Sequence, residues 1–237
     1  MKAMIFAAGL GTRLKPFTDH HPKALAEVNG LTLLEHNLKY LQRFGIYEVI
    51  VNVHHFAQQI EDILFENSEF DSNIIISDER DLLLDTGGGL KKAAWFFENE
   101  QNFVVMNVDV LTSLDLAKMI QHQDANDSVG TLAVMKRDSS RQFLFDEYMN
   151  LCGWANNKTN EQKISREVSW MQPLAFSGIQ VLNTSVFSDC PFEGKFSIVD
   201  WYLHLAKKNV LKGYDHTGNI FIDVGKPESL EKAGYLF

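Results

Sequence analysis

Short apolar runs and helix-spaced apolar stripes alternate along the first half of the chain. Lys2 to Ala7 is an apolar run ending in small residues and glycine, as a buried first strand does before a tight turn. Leu31, Leu34, Leu38 and Leu41 recur at the interval of a helix face, and Gly45 stands where a helix C-cap is expected. Tyr47 to Val53 reads as a second strand, Phe56, Ile60, Ile63 and Leu64 as a second helical stripe, and Ile74 to Ile76 as a third strand. Leu90 to Phe97 predicts a helix and Phe103 to Val108 a buried fourth strand. Strands alternating with helices imply right-handed βαβ units, and so a doubly wound, mainly parallel, Rossmann-like α/β sheet covered on both faces.

The second half reads differently. Thr131 to Lys136, Gln142 to Phe145, Ala175 to Leu182 and Phe221 to Asp223 predict strands, and Ile198 to Lys207 a helix. Between them, Asn150 to Ser169 is polar, rich in Asn and Lys, and reads as an added hairpin or flap. Trp154 and Trp170, in and beside it, are expected to pack the flap against the domain. No Pro/Ser-rich linker and no internal repeat interrupts the chain. One domain over 1–237 is therefore expected, with a nucleotide-binding-type half over 1–125 and an elaborated half over 126–237.

Composition narrows the classes. Hydrophobic residues make up 45% and charged residues 22% of 237, the balance of an ordinary globular protein. A net charge of −9 speaks against a nucleic-acid partner, since gripping phosphate backbones needs a basic surface. Cys152 and Cys190 are too few for a disulfide framework and lack metal-ligand spacing. No apolar run approaches the roughly 20 residues that span a bilayer, so no membrane partner is expected. The run Ala3 to Leu10 after Lys2 is at the short limit for a leader, and Gly11-Thr12-Arg13 follows where a cleavage site should be. A cytoplasmic location is expected.

In an open parallel sheet, ligands bind outside the carboxyl ends of the strands. The first such end reads Ala7-Ala8-Gly9-Leu10-Gly11-Thr12-Arg13-Leu14-Lys15-Pro16. Its glycines allow a tight turn and bring backbone N–H groups close to an anion. Arg13, Lys15 and Lys23 against Asp19 make the stretch Gly9–Leu25 locally cationic within an acidic chain, which focuses an anionic ligand on one place. Two familiar phosphate loops are absent. No Gly-Lys-Ser/Thr stands at P-loop spacing, and Leu14 occupies the third glycine position of the dinucleotide fingerprint.

The longer pattern Gly9-x-Gly11-Thr12-Arg13-x-x-Pro16-x-Thr18-x-x-x-Pro22-Lys23-x-Leu25 resembles the signature of the sugar-phosphate nucleotidyltransferases. Within that family, this start and Thr86-Gly87-Gly88-Gly89 look most like N-acetylmuramate-1-phosphate uridylyltransferases and mannose-1-phosphate guanylyltransferases. The resemblance implies an NTP and a sugar 1-phosphate as substrates, giving NDP-sugar and pyrophosphate in service of cell-envelope precursors. UTP with a muramate- or glucosamine-type sugar is the first expectation, GTP with a mannose or heptose phosphate the second. A non-catalytic nucleotide-sugar sensor is the reading from another class, but such a protein should have lost some of Arg13, Lys23, Asp109 and Asp223. No β-helix or acyltransferase extension is present, so a monomer or homodimer is expected.

By the same resemblance, Arg13 meets the β- and γ-phosphates, Lys23 the α-phosphate, and the backbone of Ala8, Gly9, Gly11 and Thr12 cradles the nucleotide. Asp109 and Asp223, each ending an apolar strand, are the implied ligands of Mg²⁺, a hard cation that prefers oxygen. Gly87 and Gly88 are expected in a loop that approaches the base, with Glu79 accepting its N–H groups and Asp85 either sharing that role or capping the glycine turn. Gly178, in Phe176-Ser177-Gly178-Ile179, falls on the implied sugar-contacting strand. The Glu-Lys pair that reaches the sugar phosphate in many relatives has no clear counterpart, and Lys163 is the candidate offered for it. His20-His21 and His54-His55 are expected in ordinary loop or helix-start roles.

Overall fold

A strand buried on both faces must be apolar at every position, whereas one with a wet face alternates. All four residues of β1 (Ala3–Phe6) are buried, and the computed structural model, which describes residues 1–237, threads it through the centre of the sheet. The chain continues through the small hairpin of β2 (Glu27–Val28) and β3 (Leu31–Thr32), then α1 (Leu33–Gln42), β4 (Glu48–Val53), α2 (Ala57–Glu66), β5 (Asn73–Asp78) and α3 (Asp85–Lys92). β6 (Asn102–Asn107), β7 (Val110–Thr112) and α4 (Leu116–Ala125) complete the first half. The second half comprises β8 (Gly130–Met135), β9 (Arg141–Phe145), β10 (Leu151–Asn156), β11 (Glu161–Ile164), β12 (Gln172–Asn183), α5 (Ile198–Leu205), β13 (Leu211–Asp215), β14 (Phe221–Asp223) and α6 (Pro227–Gly234).

Ten strands form one sheet, in the order β11-β10-β9-β12-β6-β1-β4-β5, with β8 beside β12 and β13 beside β8. The first-half strands β6, β1, β4 and β5 are mutually parallel, while β12 runs antiparallel to β6, β8 and β9. The architecture is thus the α/β type read from the pattern, a mainly parallel first half extended by antiparallel strands. The polar stretch after Asn150 folds as the β10–β11 hairpin, with Trp154 packed onto the core and Trp170 exposed.

The period of two along β1 separates two cores. Ala3 and Ile5 face the layer of α1, α2 and α4, packing with Leu34, Leu38, Ile60 and Met119. Met4 and Phe6 face the layer of α3 and α5, packing with Leu90, Trp201 and Tyr202. At ~25 cal/mol per Å² of apolar surface, each fully buried Leu or Phe contributes roughly 2 kcal/mol, so both layers anchor the sheet firmly. The α1 stripe starts where Thr32 Oγ1 accepts from the Glu35 N–H at 3.1 Å, a cap worth about 1 kcal/mol.

One element departs from the pattern. A helix is expected from Leu90 to Phe97, but α3 begins at Asp85 and takes in Gly87, Gly88 and Gly89, and Ala94–Phe97 is a separate 3-10 turn. Glycine runs disfavour helix by about 1 kcal/mol per residue, which hides this helix from a propensity reading. Tertiary contacts hold it instead. The Gly87 N–H donates to Phe196 O at 2.9 Å, Phe196 N–H to Leu84 O at 3.1 Å, and Ile198 N–H to Thr86 Oγ1 at 3.0 Å. No helix of the chain is long and apolar enough to cross a membrane.

Candidate active site

The carboxyl ends of β1, β4 and β6 open onto a cleft of about 460 Å³. One wall is the loop after β1, from Ala7 to Arg13, with Lys23 behind it. Asn52, at the register position beside Phe6, accepts from the Ala7 and Ala8 N–H groups at 2.8 and 3.4 Å and so fixes where the loop leaves the strand. Gly11 adopts φ +61, and a Cβ there would lie 2.8 Å from Thr18 Cγ2 and 3.1 Å from Lys23 Cβ. Only glycine lets the turn close over Lys23. Thr18 Oγ1 donates to Gly11 O at 2.9 Å and Leu14 N–H to the same oxygen at 2.8 Å, locking the turn. Arg13 and Thr12 remain exposed.

A second wall carries the acids. Asp109 follows β6, and its carbonyl accepts from the Val224 N–H at 2.8 Å, tying it to the end of β14. β14 pairs with β7 so that Asp223 lies opposite Val110. This register brings two sequence-remote aspartates together. Lys23, only 8% exposed, donates from Nζ to Asp109 Oδ2. Asp223 reaches solvent, yet its carboxyl is held above the ordinary carboxylate value by partial burial and then by the Asp109 charge, against the pull of Lys23, Arg13 and Arg137. Gly225 makes room for this corner. A Cβ there would meet Asp223 Oδ1 at 2.5 Å and Arg13 Nη2 at 2.8 Å.

The third wall is Leu83, Asp85 and Thr86, with Lys195 reaching in from the segment before α5. Gly87 and Gly88 follow directly on this wall, in the first turn of α3 and not on the cleft lining. Added Cβ atoms would collide with the Phe196 ring at 2.4 Å and the Gly194 carbonyl at 2.2 Å, so these glycines serve close packing of α3 against residues 194–196. Glu79 is also off the cleft and 2% exposed. It accepts from Asn52 Nδ2 at 2.7 Å and from the Leu84 N–H at 3.0 Å, which leaves it a buried brace between β4 and the approach to α3. Asp85 accepts from the Thr86 N–H at 2.6 Å, capping its own turn while facing the cleft.

Gly178 lies behind the cleft rather than on its lining. It adopts φ +71 in a bulge of β12, and a Cβ would sit 2.7 Å from Nδ2 of the cleft residue Asn107. Lys163 is not in the cleft but on the hairpin, paired with Asp200 at 3.0 Å and lying over Trp154. His54 Nδ1 lies 2.7 Å from Glu79 O, His21 Nδ1 lies 3.0 Å from Gln59 Oε1, and Gln59 Nε2 donates to His20 O at 2.9 Å, so neither histidine pair lines the cleft. Asn52, Asn107 and Lys195 are the lining residues the sequence pattern did not mark. The first two sit where strands end beside the loop, a placement that appears only once strand order is known. A lone lysine in the Gly194-Lys195-Phe196 turn carries no motif.

A cationic loop, a buried lysine and two converging acids around one cleft can bind polyphosphate and hold charge that develops on it. The family pattern described as nucleotidyl transferase matches residues 2–145. Over 235 residues, the chain is 30% identical to an N-acetylmuramate alpha-1-phosphate uridylyltransferase of Caulobacter vibrioides, covering 96% of this chain and 93% of that one. It is 32% identical over 232 residues to a D-glycero-alpha-D-manno-heptose 1-phosphate guanylyltransferase of Campylobacter jejuni, covering 96% of each. The crystal structure of HddC from Yersinia pseudotuberculosis complexed with GMP-PN superposes with a TM-score of 0.79 at 26% identity, covering 100% of this chain and 99% of that one.

Proposed function

This chain belongs to the nucleotidyl transferase family and is a sugar-1-phosphate nucleotidyltransferase. We propose that it moves a uridylyl group from UTP to a muramate- or glucosamine-type sugar 1-phosphate. An oxygen of the acceptor phosphate attacks the α-phosphorus, the bond from that phosphorus to the bridging oxygen breaks, and pyrophosphate leaves. Such transfers depend on positioning and charge neutralisation, with little covalent work for the protein.

The observation that carries this reading is the buried Lys23–Asp109 pair beside Asp223, set under the loop that bears Arg13. Lys23 meets the α-phosphate and Arg13 forks onto the departing phosphates. The N–H groups of Ala8, Gly9, Gly11 and Thr12 line the nucleotide's path, and the acceptor enters from the β12 side, where Gly178 lets the strand close on Asn107.

The acids fit a divalent ion. No three His, Cys, Asp or Glu side chains gather into a cluster, so Asp109 and Asp223 would hold Mg²⁺ as two hard oxygen ligands, leaving positions for phosphate and water. When bound, the ion neutralises phosphate charge.

A second reading is GTP with a heptose or mannose phosphate. Asp85 favours it, as an exposed acid on the cleft wall able to accept guanine's paired N–H donors. Pyrophosphate release over four NTPs against muramate, glucosamine, mannose and heptose 1-phosphates decides. Release that requires UTP and an amino sugar is expected. Release only with GTP and a heptose or mannose phosphate would replace the first reading by the second, and none with any pair would overturn both.

A further inference from the structure

The acceptor's phosphate must be gripped by a cation; Lys163, the candidate from the sequence, is paired with Asp200 on the hairpin, and in the second half of the chain the cleft lining offers the exposed Lys195. Arg137, just past β8, has the features of such a group. It donates from Nη2 to Phe176 O at 2.8 Å, and its guanidinium lies 4.8 Å from the centre of the Phe221 ring. Its Nε is buried with no hydrogen-bond partner. Of five N–H donors on a guanidinium, most are therefore unspent. A half-buried cation without a bonded acid is costly unless an anion arrives.

Its position selects the anion. Arg137 lies on the ring of Phe221, two residues before Asp223 on β14, and the Arg13 guanidinium lies against Gly225, two residues after it. In-line displacement puts the leaving pyrophosphate and the attacking phosphate on opposite sides of the α-phosphorus. Arg13 belongs to the leaving side. Arg137 is bonded to the Phe176 carbonyl, at the start of the β12 bulge that brings Gly178 against Asn107, and so stands just beyond the cleft lining on the β12 side. Resting on the reaction proposed above, we infer that Arg137 is the residue that binds the 1-phosphate of the acceptor sugar, its fork held in aim by the Phe176 carbonyl and the Phe221 ring. Both supports are backbone or apolar, so neither neutralises the charge that the phosphate needs.

Steady-state kinetics of Arg137→Met and Arg137→Lys test this. Arg137→Met should raise the acceptor KM roughly 10- to 100-fold, the loss of hydrogen bonds to a charged group, and leave the NTP KM within about twofold. Arg137→Lys should recover only part, because an ammonium cannot reproduce the fork. It also carries the same readout if the methionine variant fails to fold. An unchanged acceptor KM, or equal losses toward both substrates, would overturn the assignment. A binding arm separates this from failure of the transfer reaction itself. Inorganic phosphate titrated calorimetrically into Arg13→Gln protein should find a site that the Arg13→Gln/Arg137→Met double variant lacks. Identical isotherms would refute the site. Its presence, with wild-type protein that transfers no nucleotide, would leave the Arg137 anion site standing and remove the proposed reaction.

Discussion

Gly11 and Gly88 each stand where a Cβ would collide, yet the collisions are of different kinds. At Gly11 the obstacles are Thr18 and Lys23, and the glycine allows a left-handed turn that folds the loop over a cleft cation. At Gly88 the obstacle is the Gly194 carbonyl, and the glycine allows a helix to press against a segment of the second half. The first region is polar, partly exposed and built around charge. The second is packed, and its partners are backbone and an aromatic ring. Glycine thus marks close approach in both places, but what approaches differs. On the proposed reaction, the first meets the nucleotide and the second sets the distance between the walls.

That contrast can be broken experimentally. Lys23→Met should produce the largest change, a fall in kcat of roughly 100- to 1000-fold in pyrophosphate release, as expected for loss of one preorganised donor to developing charge. Gly88→Ala should act on the other side of the comparison. A Cβ 2.2 Å from backbone oxygen forces a shift costing about 1 to 3 kcal/mol, read as a melting temperature lowered by about 3 to 10 °C. Millimolar Mg²⁺ should raise the wild-type melting temperature by about 3 °C at ten times its dissociation constant, and should do nothing for Asp223→Asn.

The smallest effect concerns pH. His216, 3% exposed and 2.7 Å from Ser177 Oγ, is pushed below its ordinary 6.5 by burial, and His122 moves the same way for the same reason. The folded protein keeps these rings neutral while the unfolded chain protonates them. Their contribution to stability is therefore complete above about 6.5 and is lost as pH falls toward the folded-state values. Denaturant unfolding at pH 7.5 and 5.5 should show the decline, and His216→Gln should reduce it.

Much of this was legible in the pattern because burial writes itself into composition. The two-sided strands β1, β4 and β6 needed continuous apolar runs, and α1 needed its leucine stripe. The loop from Gly9 to Lys23 was readable because its glycines and cations stand at fixed spacing. Asp109 and Asp223 stood out as strand-ending acids, and the β14–β7 register supplies their meeting. Glu79 and Gly87–Gly88 have structural partners that the sequence does not display. An acid and a glycine run beside a strand end look like ligand chemistry, but Asn52 and residues 194–196 satisfy them from elsewhere in the chain. Arg137 was invisible because nothing local to β8 distinguishes it. Its meaning comes from Phe176, Phe221 and Asp223, which lie far along the sequence.

On the proposed reaction, charge at the strand ends performs the transfer while the glycine-faced helix spaces the walls. Pyrophosphate release and melting temperature, measured side by side for Asp109→Asn and Gly88→Ala under saturating Mg²⁺, test it most directly. Asp109→Asn should lose at least about 100-fold in rate with its melting temperature close to wild type. Gly88→Ala should melt early while retaining most of its rate below the transition. Wild-type turnover by Asp109→Asn would contradict the account.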